Sequence, residues 1–261
     1  MTHTLFHALV LRCVVIAAAC LPALGCTLAW AQPAAAPPKY GPHAVRLVDA
    51  RDHVIRQPAP DFWALISYYS AQQDERSCSV ASSAMLLNAL RSGRQLSAAE
   101  PLITQPELLR RVGVDAWKTA VAPGGEGVSL DELGSNLERA LAAYQLEGAK
   151  VEVVHVADTS AETRSRLRAM LTQNEQSASD LVLANFLQSV YTGDPEGAVG
   201  HIAPVGAYDA VRRRVLILDP DRQWYEPYWV PEDVFLQGLA TRDETSGKPR
   251  GYVRVLLKEG K

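Results

Sequence analysis

The chain has 261 residues, 48% hydrophobic and 21% charged, which is the composition of a globular domain with its own core and excludes a disordered, collagenous or multi-pass membrane chain. Lys and Arg total 26 against 29 Asp and Glu, a net charge of −3, so no basic excess exists to neutralise a phosphate backbone. No nucleic acid is therefore expected as a partner.

Residues 1–31 hold no Asp or Glu, and Arg12 precedes an apolar run from Cys13 to Ala31 broken by Pro22, Gly25 and Thr27. This is the pattern of a secretory signal peptide, with Ala29-Trp30-Ala31 before the cut and a mature chain from Gln32. The expectation is an exported, periplasmic protein with no membrane association after cleavage. An uncleaved anchor competes, since the run is just long enough to span a bilayer. A lipoprotein reading through Leu24-Gly25-Cys26 is weakened by Ala23, where a larger aliphatic residue is expected. Cleavage removes Cys13, Cys20 and Cys26 and leaves Cys78 without a disulfide partner. A lone thiol in an oxidising compartment calls for a reason, the plain alternative being an inert buried cysteine.

From Gln32 to Pro42 the sequence QPAAAPPKYGP has no periodic apolar pattern and reads as an extended linker outside the fold. The chain thus divides into a signal at 1–31, a linker at 32–43 and a domain at 44–261. Cys78 to Leu90 carries Val80, Ala81, Ala84, Met85, Leu87 and Leu90 at helical spacing, and Pro106 to Val112 makes a second, short helix. Gly124-Gly125 marks a turn. Ser129 and Glu132 form a capping box for a helix over about 130–145, whose apolar face is Leu133, Leu137 and Leu141. Strands then dominate: 151–156, 181–186, 202–208, 211–218 and 252–257, with a helix at 161–171 and another from Pro231 to Leu239. A helical first half and a mostly antiparallel second half is an α+β pattern.

Cys78 stands at the start of its helix, where free backbone N–H groups and the helix dipole favour a thiolate. Gln72, six residues earlier across a polar loop, could return its side-chain amide beside the sulfur and complete an oxyanion hole with the Cys78 N–H. Of the histidines after Arg12, His43 and His53 lie in the lead-in to the domain, and His155 reads as a sheet-face residue within VVHV. His201 differs, because it opens a strand in HIAPVGAYDAVRRRVLILDP, which reads as a hairpin. A turn centred on Ala210 would set His201 directly opposite Asp219, where the carboxylate could fix the imidazole tautomer and stabilise the imidazolium. A one-residue change of register would break that pairing, and Asp221 is a rival carboxylate. The set suits nucleophilic acyl transfer through a thioester. No Gly-rich phosphate loop, HExxH or spaced Cys/His cluster occurs, so no tightly bound metal or cofactor is expected.

At these residues the sequence resembles the phytochelatin synthase family, papain-like cysteine enzymes acting on glutathione. Gln72-x5-Cys78 leading into SVASSAMLLNAL is similar to the family's nucleophile segment, and GVSLDEL to its middle helix. GHIAPVGAYDAVRRRVLILDPDR is similar to its His and Asp hairpin, WYEPYWVP to its aromatic-proline segment, and SGKPRGYVRV to its final strand. The resemblance implies a papain-like fold, with Cys78 as nucleophile, His201 as base, Asp219 as orienting carboxylate and Gln72 as oxyanion donor. It implies Asp243 and Arg250 as substrate-holding residues, with Gly200 beside them. It further implies cleavage of the Cys–Gly bond of glutathione, with the γ-glutamylcysteinyl group passed to water or to another glutathione, the latter making phytochelatins for heavy-metal detoxification. Zn or Cd would then enter as a glutathione thiolate, as part of the substrate.

The chain departs from the family at Ser79, which stands in place of a glycine, and at Gln188, which stands in place of an arginine. Loss of that charge bears on acceptor binding and points towards hydrolysis or weak transfer. Two other readings stand beside this one: a papain-clan peptidase of the bacteriocin-processing kind, and a secreted thiol-binding module in which Cys78 is inert. The oligomeric state is not legible.

Overall fold

The computed structural model describes residues 38–257 apart from Arg94 and Glu147, and the expected signal at 1–31 lies outside the described residues. Among the described residues no helix is long and apolar enough to cross a membrane.

The first half is helical, with short helices that periodicity did not suggest, among them α1 (Asp52–Arg56) and α2 (Pro60–Ile66). The central helix α3 (Cys78–Ser92) follows, then α4 (Gln105–Val112), α5 (Asp115–Ala120) and α6 (Leu130–Ala143). Every residue of α3 from Cys78 to Arg91 is buried, so this helix is enclosed on all sides. Its small Ala81-Ser82-Ser83-Ala84 run allows close approach to the sheet, and Ser82 Oγ donates to the Ile202 carbonyl at 2.9 Å. The capping box at α6 is present: Ser129 Oγ accepts from Glu132 N, and Glu132 accepts from Ser129 N at 2.8 Å.

Among the described residues seven strands form one antiparallel sheet, in keeping with the α+β class. They are β1 (Val45–Arg46), β2 (Lys150–His155), β3 (Asp180–Leu187), β4 (Gly200–Asp209), β5 (Arg214–Ile217), β6 (Tyr228–Pro231) and β7 (Gly251–Leu256). Their order is β1-β6-β5-β4-β3-β7-β2, with every pairing antiparallel. Three further helices lie in this half, α7 (Ala161–Asn174), α8 (Gln188–Thr192) and α9 (Glu232–Leu239). One sheet face packs Leu183, Ile202, Leu216 and Val253 against α2, α3 and α6; the other packs Phe186, Val205, Ile217 and Tyr228 against α7, α8 and α9. Covered on both sides, β3 and β4 read as continuous apolar runs rather than alternating ones.

Three expectations are corrected. Pro231 ends β6 and caps α9 instead of opening its first turn. The end of the expected linker belongs to the fold: Tyr40 packs edge-on against Tyr225 and Tyr228, and its hydroxyl accepts from Glu226 N at 2.9 Å. An aromatic side chain with a pocket to fill overrides the Pro/Ala composition around it. The third concerns the hairpin register. The turn spans the residues between Asp209 and Arg214, which pair with each other, so β5 is shorter than expected. Neither Ala210 nor Val211 suits the positive φ of a two-residue hairpin turn. Arg213 takes φ 51° instead, and Asp209 Oδ1 accepts from Arg212 N at 3.0 Å.

Candidate active site

The loop before Cys78 is held by its own polar groups. Ser77 Oγ accepts from Gln73 N and Asp74 N, each at 3.0 Å, while Gln105 donates to the Ala71 carbonyl at 2.8 Å. Gln72 N donates to the Pro220 carbonyl at 2.8 Å, so the main chain of Gln72 is pinned to the residue that follows Asp219. The Gln72 side chain reaches the pocket wall, and its Oε1 is buried without a hydrogen-bond partner. Cys78 is buried and makes no disulfide, in the first turn of α3, where backbone N–H groups lack intrahelical partners. Ser79, the expected glycine position, accepts from Trp117 Nε1 at 3.1 Å, so its hydroxyl serves the core and leaves the pocket unchanged.

His201 and Asp219 meet, though not by the register that the sequence suggested. Near the turn β4 and β5 pair as Asp209 with Arg214, Tyr208 with Val215 and Ala207 with Leu216, a register that would place His201 and Asp219 on opposite faces. A bulge at Gly206 takes up one residue, and beyond it Val205 pairs with Ile217 while Leu218 N donates to the Pro204 carbonyl. Val205 and Ala207, two residues apart, therefore face opposite core layers. The bulge returns His201 and Asp219 to one face, diagonal to each other, and His201 Nε2 lies 2.7 Å from Asp219 Oδ1. A Cβ at Gly206 would meet Leu218 Cγ at 2.9 Å, so the bulge needs the glycine.

Asp219 is fully buried, and both carboxylate oxygens are satisfied. Oδ1 also accepts from Asp221 N at 2.9 Å, and Oδ2 accepts from Tyr228 Oη at 2.8 Å and Gln188 Nε2 at 3.3 Å. Burial pushes its pKa up, but His201, the Asp221 N–H and the Tyr228 hydroxyl outweigh burial and hold the carboxyl below its ordinary value. For His201, burial opposes the charged ring; the Asp219 carboxylate, with Cys78 on the other side, outweighs it and raises the pKa well above the ordinary value. Because Nε2 is committed to Asp219, Nδ1 is the nitrogen left for the thiol. Asp221, the rival carboxylate, does not bond the ring and lines the pocket instead.

Cys78, His201, Gln72, Gln188 and Gly200 line a pocket of about 630 Å³. Its wall carries the carboxylates of Asp74, Glu75, Glu126, Asp194, Glu196 and Asp221, with Arg76 and the His201 ring as the basic groups among the described lining residues. Asp243 and Arg250 come together at 3.6 Å, but they lie behind Gly200 rather than in the pocket wall. A Cβ at Gly200 would come within 2.6 Å of Arg250 Nη2, so the guanidinium supports the backbone next to His201. Arg250 is buried, and its Nε has no partner. His155 is a sheet-face residue between the Pro249 carbonyl at 2.5 Å and Asp131 at 3.0 Å. His53 is partly buried beside Trp229, Glu175 and Asp209, outside the pocket wall. Sequence reasoning missed Tyr69, whose hydroxyl donates to the Asp219 carbonyl at 2.5 Å, and the contact of Tyr228 with the carboxylate. Nothing in the spacing of WYEPYWVP says which of its tyrosine hydroxyls would reach Asp219.

A family model described as phytochelatin synthase matches residues 51–252, most of the chain and every residue of this site. The chain belongs to the phytochelatin synthase family. Among curated relatives, a glutathione gamma-glutamylcysteinyltransferase 1 of Arabidopsis thaliana is 26% identical over 196 residues, 74% of this chain and 36% of the relative. One of Lotus japonicus is 27% identical over 196 residues, 74% of this chain and 35% of the relative. A glutathione gamma-glutamylcysteinyltransferase of Schizosaccharomyces pombe is 40% identical over 62 residues, 24% of this chain and 14% of the relative. The chain thus spans roughly a third of the length of the plant relatives that it matches.

Proposed function

We propose that this member of the family is a thiol acyl-transfer enzyme that cleaves the Cys–Gly bond of glutathione. The observation that carries the reading is the placement of Cys78 at a helix start beside an imidazole whose other nitrogen is held by a buried carboxylate, within one pocket. The names of the curated relatives supply the substrate class.

In this reading the Cys78 thiolate adds to the cysteinyl carbonyl carbon of glutathione. The oxyanion is met by the Cys78 N–H and the Gln72 amide. His201, as imidazolium, gives its Nδ1 proton to the departing glycine nitrogen, and the C–N bond breaks to leave a γ-glutamylcysteinyl thioester on Cys78. His201, now neutral, takes a proton from the acceptor, whose oxygen or nitrogen adds to the thioester carbonyl and expels the thiolate. Asp219 orients the ring and stabilises its charge throughout, completing a catalytic triad. Water as acceptor yields γ-glutamylcysteine; the amine of a second glutathione yields a phytochelatin.

The wall of the pocket favours water. Its carboxylates oppose the carboxylates of a second tripeptide, and neutral Gln188 supplies no compensating charge. Zn or Cd would arrive bound to glutathione thiolate. Asp243 and Arg250 would act through Gly200, or by turning towards a substrate carboxylate. The reading includes a papain-like arrangement of the domain, removal of residues 1–31 and a periplasmic location.

Incubation of the purified protein with reduced glutathione, with and without Zn²⁺ or Cd²⁺, tests it by mass spectrometry of the products. Glycine with γ-glutamylcysteine is the expected result, and longer (γ-Glu-Cys)n-Gly chains would make transfer the main reaction. Absence of glycine release, with Cys78 still reactive to iodoacetamide, would move the substrate to another peptide.

A further inference from the structure

Asp219 presents an unusually complete set of acceptors. An ionised carboxylate offers about four lone-pair sites, and all are taken by protein donors: His201 Nε2 and Asp221 N on Oδ1, Tyr228 Oη and Gln188 Nε2 on Oδ2. Two of these donors come from elements outside the His–Asp hairpin. Tyr228 lies on β6, where it pairs with Ile217, and Gln188 opens α8; both are buried. Gln188 also lines the pocket, and its backbone N donates to the Val199 carbonyl at 3.1 Å, which ties it to the chain just before His201.

We propose that Tyr228 and Gln188 are positioning residues for the thiol chemistry: their donors on Oδ2 fix the rotamer of Asp219 that turns Oδ1 to His201. The inference rests on the proposed roles of His201 and Asp219. A carboxylate stripped of a donor in a buried site either rotates to find another or draws harder on the proton it shares with the ring. The first outcome loosens the imidazole; the second holds the imidazolium to higher pH and makes it a poorer acid. The titratable groups facing the pair are Cys78, Asp221, Tyr40, Tyr69, Tyr225 and Tyr228. The Tyr228 hydroxyl is the stronger donor by distance, 2.8 Å against 3.3 Å.

The test needs no knowledge of the substrate. In the full chain, the rate of Cys78 alkylation by iodoacetamide is followed against pH for the native protein, Tyr228→Phe and Gln188→Met. Phe keeps the ring among Tyr40 and Tyr225, so the packing survives. The upper inflection, set by loss of the His201 proton, is expected to rise by about one pH unit in Tyr228→Phe, and by less in Gln188→Met. The proton NMR signal of the His201–Asp219 bridge should move in the same order, and glycine release from glutathione should fall about tenfold in Tyr228→Phe. A lowered melting temperature with the inflection and NMR signal unchanged would make both residues merely structural and overturn the proposal. Should Tyr228→Phe not fold, Gln188→Met decides alone, with an unchanged inflection counting against. If the native protein does not cleave glutathione, the substrate reading fails while the alkylation profile still judges the positioning.

Discussion

His201 and Asp219 are joined at 2.7 Å across two strands whose pairing near the turn would put them on opposite faces, and the bulge at Gly206 is what reunites them. The catalytic geometry proposed here thus depends on a residue that touches neither side chain. Gly206→Ala should drive a methyl group into Leu218 and cost about 1–3 kcal/mol of stability. It should also lower glycine release at temperatures where the fold persists. Thermal melting together with the product assay checks both, and an unaffected variant would show that the bulge tolerates a side chain.

Within the site, Cys78→Ala should abolish glycine release with the melting temperature held to within a few degrees. His201→Ala should cost roughly 10²–10⁴ in kcat. Asp219→Asn should cost less than His201→Ala, because it disturbs tautomer and orientation and leaves the base in place. Single-turnover assays on the three variants give the order. Native turnover by Cys78→Ala would remove the nucleophile from the scheme.

The pH dependence follows from the same pair. Asp219 holds the His201 pKa well above the ordinary imidazole value, so the imidazolium persists through neutral pH and the activity loss on the alkaline side should begin above the ordinary histidine range. For stability, the raised His201 pKa contributes fully below about pH 6.5, and that contribution is lost as pH rises through the folded value. The depressed Asp219 pKa contributes above about pH 3.9 and is lost as pH falls through its folded value. Asp219→Asn should bring the alkaline limb down, which a kcat/KM profile against pH would register.

Outside the pocket, Glu175 has one oxygen buried without a hydrogen bond, 3.9 Å from His53 Nε2, while the other accepts from Tyr208 N at 2.6 Å. Burial pushes its pKa up to about 7, with Asp209 adding to the rise and the Tyr208 N–H opposing it. The folded protein therefore keeps a proton that the unfolded chain releases, and stability falls as pH climbs from the ordinary glutamate range to about 7. Glu175→Gln should flatten that fall, gaining on the order of 1–3 kcal/mol near neutral pH relative to the native chain. Denaturant melts at pH 5 and pH 7.5 measure the difference.

Gly200 offers a last check. Gly200→Ala presses on the Arg250 guanidinium, so it should loosen the backbone next to His201 and lower kcat more than it lowers the melting temperature. Arg250→Lys, which keeps the charge without the fork, should produce a milder form of the same loss.

Much of this protein was legible in its residues because the signals are local. Helical spacing marked α3, the Ser129–Glu132 box marked α6, and the position of the lone Cys78 at a helix start was legible from the same spacing. Those features are set by backbone donors and side chains a few residues apart, which sequence records directly. The short helices α1 and α2 and the packing of Tyr40 escaped, because they are stabilised by distant partners more than by their own propensity. The hairpin announced the meeting of His201 with Asp219, but its register, and the claim of Tyr228 and Gln188 on the buried carboxylate, were decided by the tertiary structure alone. A buried charge must find every donor it needs wherever the fold brings one within reach, and no spacing along the chain encodes which residues those will be.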